Sequence, residues 1–156
     1  MYDTPPVYNI YMMKLMVDWM LSIGGLEELK RRNERKASLI YDELDKSDYY
    51  TAPVNSKCRS MMNIRFHTDN KELDEKFIKE AEEQGLVNLR ADSMLGGMCA
   101  SIYNAMPIEG IEKLRDFMHE FAKDNQHEKL GGVDKEYENL IRQYTSKRFL
   151  SQTEEE

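Results

Sequence analysis

The chain has 156 residues, of which 40% are hydrophobic and 33% are charged, and its formal net charge at pH 7 is -7. This length allows one domain with a substantial core and a short appendage, but not two full domains. The negative charge argues against nucleic acid or an anionic membrane as a partner, since both bind to clustered lysine and arginine.

The first predicted element is a helix that follows Thr4-Pro5-Pro6 and ends near Ser22. A hydroxyl residue that can cap the helix, followed by prolines, is typical of a helix start. Apolar residues cover most of its circumference, whereas a surface helix shows one stripe. They are Ile10, Met12, Met13, Leu15, Met16, Val17, Trp19, Met20 and Leu21. We expect this apolar helix 7–22 to bind a protein partner or a second copy of the chain.

A second helix is predicted from about Leu26 to Leu44, after the break at Gly24-Gly25. Its apolar face is expected to carry Leu26, Leu29, Ala37, Ile40 and Leu44. The charged run Lys30–Lys36 is expected to form the opposite, solvent-facing side. The sequence therefore predicts a long amphipathic helix that covers the core.

The middle of the chain predicts short strands and a helix. Tyr49–Val54 contains a proline and favours an edge strand, whereas Met62–His67 alternates with period two and indicates a half-buried strand. A helix is predicted over residues 71–84 and should end at Gly85. Its apolar face comprises Leu73, Phe77, Ile78 and Ala81.

Two more strands and a final core helix are predicted next. The strands are Leu86–Leu89 and Met98–Tyr103, and Pro107 opens the helix. The buried side of that helix should carry Ile108, Ile111, Leu114, Met118 and Phe121. This order predicts an α/β fold, a two-layer sandwich in which helices cover one face of a small, mostly antiparallel sheet.

Beyond the predicted domain 1–125, residues 126–156 differ in character. Gly131-Gly132 predicts a flexible joint, and the chain ends in three glutamates. Between them one more amphipathic helix could carry Val133, Tyr137, Leu140, Ile141 and Tyr144. We therefore interpret residues 126–156 as a helical appendage with an acidic end.

The cysteines and histidines predict neither a disulfide framework nor a metal site. Cys58 and Cys99 have no paired spacing, and the three histidines lack ligand spacing.

The start of the chain lacks a signal-peptide pattern, and no run reaches the about 18 apolar residues of a membrane span. The sequence therefore predicts a soluble, cytoplasmic protein.

Three blocks of the sequence together resemble the carboxy-terminal domain of phosphoserine aminotransferases. The first is Met1–Pro6 followed by Ile10–Met12. The second comprises Gly24–Leu26, Arg32–Ala37, Tyr41-Asp42 and Arg59–Asn63. The third and most specific is Gly96–Pro107, with Glu109-Gly110 after it. The resemblance covers roughly residues 1–125 and implies the small domain of a fold-type-I aminotransferase.

In such enzymes a large domain holds pyridoxal 5′-phosphate on a lysine, and the small domain closes over the substrate. The resemblance implies that the large domain would precede residue 1. We therefore expect no cofactor to bind this chain by itself, and pyridoxal phosphate to bind if it assembles with a large domain. The resemblance places Asp3 and Thr4 at positions that contact the cofactor phosphate. An aspartate would repel that anion, and the interpretation we favour is that both residues merely cap the first helix.

The resemblance places Asp92, Ser93 and Cys99 at substrate-binding positions. The family has histidine and arginine where Asp92 and Ser93 stand, to hold the substrate phosphate, and a carboxylate-binding arginine where Cys99 stands. A thiol cannot reproduce the two charge-assisted hydrogen bonds of arginine. Each lost contact of this kind costs about 1.5–3 kcal/mol. We therefore expect phosphoserine to bind poorly to this surface.

Two alternatives concern individual residues: Arg90, which precedes the third block, and Cys99, which lies within it. Arg90 could compensate for the missing cations, although an ordinary solvated position at the edge of the sheet is the simpler interpretation. Cys99 could be a nucleophile, but no histidine lies near it in sequence, so a small core residue on a strand is favoured. We name no catalytic residue.

The leading hypothesis is a phosphoserine aminotransferase-like domain that is not catalytic alone and acts by binding or assembly. The alternative is one half of a split or truncated aminotransferase, which works with a separate large domain on a changed substrate. Asp92 would then favour an uncharged or cationic group where the phosphate is bound in the family. A decayed remnant without a selected role is a third hypothesis, which the sequence does not separate from the first.

Overall fold

A computed structural model describes residues 4–92 and 96–126 of the chain, together with Asn139 and Gln143. Its elements are α1 (Val7–Ser22), α2 (Gly25–Lys46), a 3₁₀ turn (Ser56–Cys58), β1 (Asn63–Phe66), α3 (Lys71–Glu83), β2 (Met98–Ser101) and α4 (Ile108–Asp124). The predicted appendage 126–156, including its joint and helix, lies outside the described residues except at positions 126, 139 and 143.

Strands β1 and β2 pair in antiparallel fashion and form the centre of the sheet. Asn63 lies opposite Ser101, Ile64 opposite Ala100, Arg65 opposite Cys99, and Phe66 opposite Met98. Because side chains alternate between the two sides of a strand, this register assigns every strand residue to one of two faces.

Of the two other predicted strands, 49–54 keeps a single antiparallel bridge, and 86–89 contains none, since the nearest bridge follows it at Arg90. Thr51 bridges to His67, and Arg90 bridges to Met98. Strands over the whole of residues 49–54 and 86–89 were therefore wrong. Pro53 has no N–H to continue a ladder, and Asn88 has a φ of 61°, which interrupts an extended backbone.

Helices α2, α3 and α4 cover one face of the sheet and form the core with it. The buried strand residues Ile64, Phe66, Met98 and Ala100 join the apolar faces of these helices in one cluster. The ring of Phe77 on α3 is completely buried and makes edge contacts with rings from the sheet side and from α4. This arrangement confirms the predicted α/β sandwich with helices on one side.

The predicted helices 71–84 and 107 onward are confirmed with small changes at their ends. The Asn70 side chain accepts hydrogen bonds from the first turn of α3, and Gly85, with a φ of 81°, ends the helix. In α4 the buried residues include Phe117 in addition to four of the five that were expected, and Ile108 is half-buried. Both helices therefore use the apolar faces that their spacing predicts.

Helix α2 differs from its prediction on both faces. Leu26 is 73% exposed, because it lies in the first turn, before the buried stripe that begins at Leu29. Asn33 and Lys36, from the run expected to face solvent, are only 5% and 3% exposed. They recur at three- and four-residue steps with Ala37 and therefore belong to the buried side.

Helix α1 packs against α2 but contributes no buried residue to the core. Its cap position is Pro6, and no side chain caps it, so the expected capping by Thr4 is wrong. Large apolar side chains remain open to solvent along its length, including Tyr8 at 73%, Met13 at 69% and Leu21 at 67%. In the described part of the chain, no helix has the length and apolar character that crossing a membrane requires.

Candidate functional site

The side of the sheet away from the helices carries polar side chains, and we call it the open face. It consists of Asn63 and Arg65 on β1 and of Cys99 and Ser101 on β2. Asn63 and Ser101 are exposed, whereas Arg65 and Cys99 are half-buried. The open face therefore differs from the core face, where the intervening strand residues are fully buried.

Hydrogen bonds connect the polar groups of the open face. The Ser101 hydroxyl donates to Asn63 Oδ1 over 3.0 Å, and Asn63 Nδ2 donates to the Tyr103 hydroxyl over 3.0 Å. Arg65 Nη2 donates to the backbone carbonyl of Gly96 over 3.3 Å. The face is thus a polar, partly shielded surface on a rigid pair of strands.

A tight turn leads into β2 and depends on two glycines. Gly96 and Gly97 have φ values of 62° and 71°, in the left-handed region that favours glycine. The Gly96 N–H donates to the Asp92 carbonyl over 3.1 Å, and the Ala91 N–H donates to the Gly97 carbonyl over 3.1 Å. The glycine pair therefore forms a turn ahead of β2.

The structure describes three of the five predicted site residues. Asp92 is exposed at the start of the glycine turn, Cys99 lies half-buried on the open face, and Thr4 is exposed ahead of α1. Asp3 and Ser93 lie outside the described residues. The expectation that Cys99 packs as a small core residue is wrong, because alternation along β2 places Met98 and Ala100 in the core instead.

Arg90 does not supply a free cation. Its side chain is exposed and forms a two-point ion pair with the Glu75 carboxylate, which raises the pKa of Arg90 and lowers that of Glu75. The simpler interpretation, a solvated position at the edge of the sheet, is confirmed.

Lys36 is a buried cation that the sequence analysis missed. Its Nζ donates to the backbone carbonyls of Ile102 at 3.2 Å, Tyr103 at 2.8 Å and Met106 at 3.2 Å. Burial lowers the pKa of this ammonium group. Nearby, Asn33 Nδ2 donates to Asn104 Oδ1 over 2.8 Å. These bonds attach the segment after β2 to α2, and the three- and four-residue spacing of Asn33, Lys36 and Ile40 was the signal for them.

A cleft of about 430 Å³ lies between α2 and the start of α4. Arg31, Arg32 and Arg35 line it together with Glu28. The guanidinium groups of Arg31 and Arg32 bind the Glu28 carboxylate and lower its pKa to about 2. The lining includes no residue of the open face, and much of its positive charge is already paired.

The described residues do not fit pyridoxal phosphate by themselves. A Schiff-base lysine needs a nitrogen that is free to react, and the buried lysine among the described residues, Lys36, is held by backbone carbonyls. Thr4 is exposed and lies outside any cavity described above. Among the same residues, no cluster of three or more histidine, cysteine or acidic side chains gathers for a metal ion. We derive no chemical step through either group.

Comparison with known proteins finds similarity to class-V aminotransferases and, among them, to phosphoserine aminotransferases. The family model of class-V aminotransferases matches residues 1–114. The phosphoserine aminotransferase of Streptococcus agalactiae serotype III (strain NEM316) is 47% identical over 126 residues, which are 80% of this chain and 35% of that protein. That of Nitrosomonas europaea is 48% identical over 125 residues, 80% of this chain and 34% of that protein.

Solved structures show the same likeness. The phosphoserine aminotransferase from Bacillus circulans subsp. alkalophilus superposes with a TM-score of 0.76 at 42% identity, over 80% of this chain and 35% of that one. The pyridoxal-phosphate-bound enzyme from Trichomonas vaginalis gives a TM-score of 0.70 at 31% identity, over 76% of this chain and 34% of that one. The chain spans about a third of the length of the relatives it matches.

Proposed function

Because the chain belongs to the class-V aminotransferase family, we propose that it forms the small, substrate-facing domain of a phosphoserine aminotransferase-like protein. The observation that carries this proposal is the likeness to phosphoserine aminotransferases in both sequence and fold. The family depends on pyridoxal phosphate, and the relatives' names identify phosphoserine as their substrate.

The chain acts on its substrate through the open face and the glycine turn. Phosphoserine carries a phosphate and a carboxylate, so a site for it needs several cations. Here Asp92 and Cys99 stand at two of the positions that the resemblance assigns to substrate binding. A carboxylate repels the phosphate, and a thiol offers the carboxylate no charged donor. The domain therefore favours a substrate other than phosphoserine.

The domain does not catalyse transamination by itself, and it works after assembly with a cofactor-bearing large domain. Two observations support this. The one buried lysine among the described residues, Lys36, is held by backbone carbonyls, and α1 exposes an apolar surface along its whole length. Surfaces of this kind mark sites of protein association. We propose that α1 is the surface on which the large domain packs.

The test is reconstitution with the part of the Streptococcus agalactiae enzyme that lies outside its match to this chain. The two pieces would be co-expressed, isolated through a tag on one of them, and supplied with pyridoxal phosphate. We expect a stable complex, the absorbance of a cofactor aldimine, and amino transfer to 2-oxoglutarate from a donor without phosphate in preference to phosphoserine. The chain alone should show neither absorbance nor turnover.

The matched control is the small domain of the Streptococcus agalactiae enzyme itself, combined with the same large domain. It should restore turnover of phosphoserine. If this chain restores phosphoserine turnover equally well, the changed-substrate proposal is wrong. If the control assembles and this chain does not, assembly through α1 is wrong, and turnover by the chain alone would contradict its dependence on a partner.

A further inference from the structure

The geometry points to Arg65 as the residue that holds a singly charged carboxylate of the substrate against the open face, beside Cys99. The inference rests on the proposed function, because it names the group that the substrate-facing domain recognises. It assigns to a residue of β1 a role in substrate specificity that the sequence analysis did not consider.

The position of Arg65 follows from the strand register. Arg65 lies directly opposite Cys99, so both side chains project from the open face. Directly opposite residues of antiparallel strands have Cβ atoms about 4.5–5.5 Å apart. The side chains of Arg65 and Cys99 therefore leave the backbone as cross-strand neighbours, on the same side of the sheet.

The guanidinium of Arg65 has donors to spare. Among the described residues, every other arginine except Arg35 forms an ion pair with a carboxylate: Arg31 and Arg32 with Glu28, Arg59 with Asp45, Arg90 with Glu75, and Arg115 with Asp116. The recorded bond of Arg65 is to the neutral carbonyl of Gly96. Since arginine carries five N–H donors, most of its capacity is open to a ligand.

Arg65 is also positioned more firmly than a typical surface arginine. Its backbone lies in a paired strand, its side chain is half-buried, and its bond to Gly96 connects it to the glycine turn. A cation fixed on a rigid element loses little conformational freedom when it binds a ligand. Partial burial also weakens solvent screening of its charge.

The charge balance favours a carboxylate over a phosphate. One guanidinium balances one negative charge and matches a carboxylate in two parallel hydrogen bonds. A phosphate group carries about -1.5 to -2 at pH 7 and would leave charge uncompensated. The open face therefore selects a monoanion.

The test is a nuclear magnetic resonance titration of the ¹⁵N-labelled chain with acetate, and separately with inorganic phosphate at matched ionic strength. Acetate should shift the Arg65 Nε–Hε signal and the amide signals of Gly96 and Cys99, and phosphate should shift them less. Arg65→Met should abolish the response, and Arg65→Lys, which keeps charge without the planar fork, should weaken it by roughly tenfold. Arg90→Met, which removes a cation already paired with Glu75, is the matched control and should leave it unchanged.

The amide spectrum of each variant reports whether the fold is intact, so loss of binding and loss of structure are distinguishable. The inference is overturned if acetate shifts none of these signals, if Arg65→Met responds as the original chain does, or if phosphate binds more tightly than acetate. The titration needs neither cofactor nor large domain. A failed reconstitution would contradict the proposed function, whereas a failed titration would contradict carboxylate binding by Arg65, so the two failures are distinguishable.

Discussion

The ammonium group of Lys36 shows how one buried charge can organise the backbone near a candidate site. It donates to four carbonyls in the segment after β2, at distances of 2.8–3.5 Å. Backbone carbonyls that lie outside regular structure need partners when they are buried. Lys36 supplies several of them from one side chain, and so joins the end of β2 to α2.

Replacing Lys36 with methionine should destabilise the fold by about 1–3 kcal/mol, since the carbonyls it serves lose their donor while the side-chain volume is kept. Urea unfolding followed by circular dichroism measures the change. Lys30→Met is the control, because Lys30 is exposed and its contact to Glu34 is 3.9 Å long, so its effect should stay below about 0.5 kcal/mol. Equal midpoints for the two variants would contradict the role of Lys36.

The same residue gives a pH dependence with a definite sign. Burial lowers the pKa of Lys36 in the folded chain below its ordinary value of 10.5. Between the two pKa values the unfolded chain binds the proton more tightly, so stability from this group rises with pH in that interval. The stability difference between the original chain and Lys36→Met should therefore increase as the pH approaches 10.5.

Sequence reasoning identified candidate residues that belong to one short motif. It missed residues whose contacts lie far away in the sequence. The resemblance singled out Asp92 and Cys99 as candidate site residues, and the strand predicted over Met98–Tyr103 contained Cys99. It did not identify Arg65 or Lys36, because the carbonyls they bind belong to other elements. Only the strand register and the packing of α2 bring these groups together.

Helix α1 is a regular helix, but none of its side chains is buried in the core. Its apolar residues surround the axis, so packing on α2 covers one side and leaves the others open. The hydrophobic effect then favours association over exposure.

Introducing charge on α1 should reduce association without weakening the fold. Met13→Glu combined with Leu21→Glu changes two side chains that are 69% and 67% exposed. Sedimentation velocity should show less self-association of the chain, and pull-down should show less binding to the large domain. The Tm should change little, because no buried contact is lost.

Val87→Glu serves as the control for that experiment, because Val87 is 62% exposed but does not belong to α1. It should leave association unchanged. If both variants associate to the same extent, α1 is not the binding surface.

The strands show where sequence reasoning about elements reaches its limit. Alternation identified β1 and β2 correctly, because their two faces differ in burial. It overestimated the segments at 49–54 and 86–89, where a proline and a left-handed asparagine interrupt the extended backbone and the remaining bridges are at Thr51 and Arg90. The length of an edge strand depends on backbone geometry that composition does not express.

The described domain depends on one continuous core in which aromatic rings from several elements meet. Phe77 contacts Tyr50, Phe66, Phe117 and Phe121 at centroid distances of 4.9–6.0 Å. Edge-to-face pairs of this kind add stability beyond the burial of their area. The sheet and helices α3 and α4 therefore share contacts through a single side chain.

Phe77→Ala should cost about 3–5 kcal/mol, the range for removing a fully buried phenylalanine. Chemical denaturation measures this loss, and Phe77→Leu, which leaves a smaller cavity, should cost less and keeps the test informative if alanine prevents folding. Leu26→Ala is the control, because Leu26 is 73% exposed and should change stability by less than about 0.5 kcal/mol. A Phe77 variant as stable as this control would contradict a shared core.

The order of strands and helices was sufficient to predict the architecture of the whole domain, since an apolar sheet face and three amphipathic helices have few ways to cover one another. The sequence predicted the two-layer arrangement but not the register in which β1 and β2 pair. Which residue stands opposite which is decided by the whole sheet, and the character of the open face follows from that pairing.

The facing of Arg65 and Cys99 bears on how proteins of this kind are sorted by their sequences. A sequence alignment scores an arginine as lost even when another arginine occupies the directly opposite position on the neighbouring strand. Divergent members of the family would then be classified as unable to bind a substrate, although the binding residue had only changed its position in the sequence. Comparing them by neighbours in space, rather than by order along the polymer, would recover such relocations.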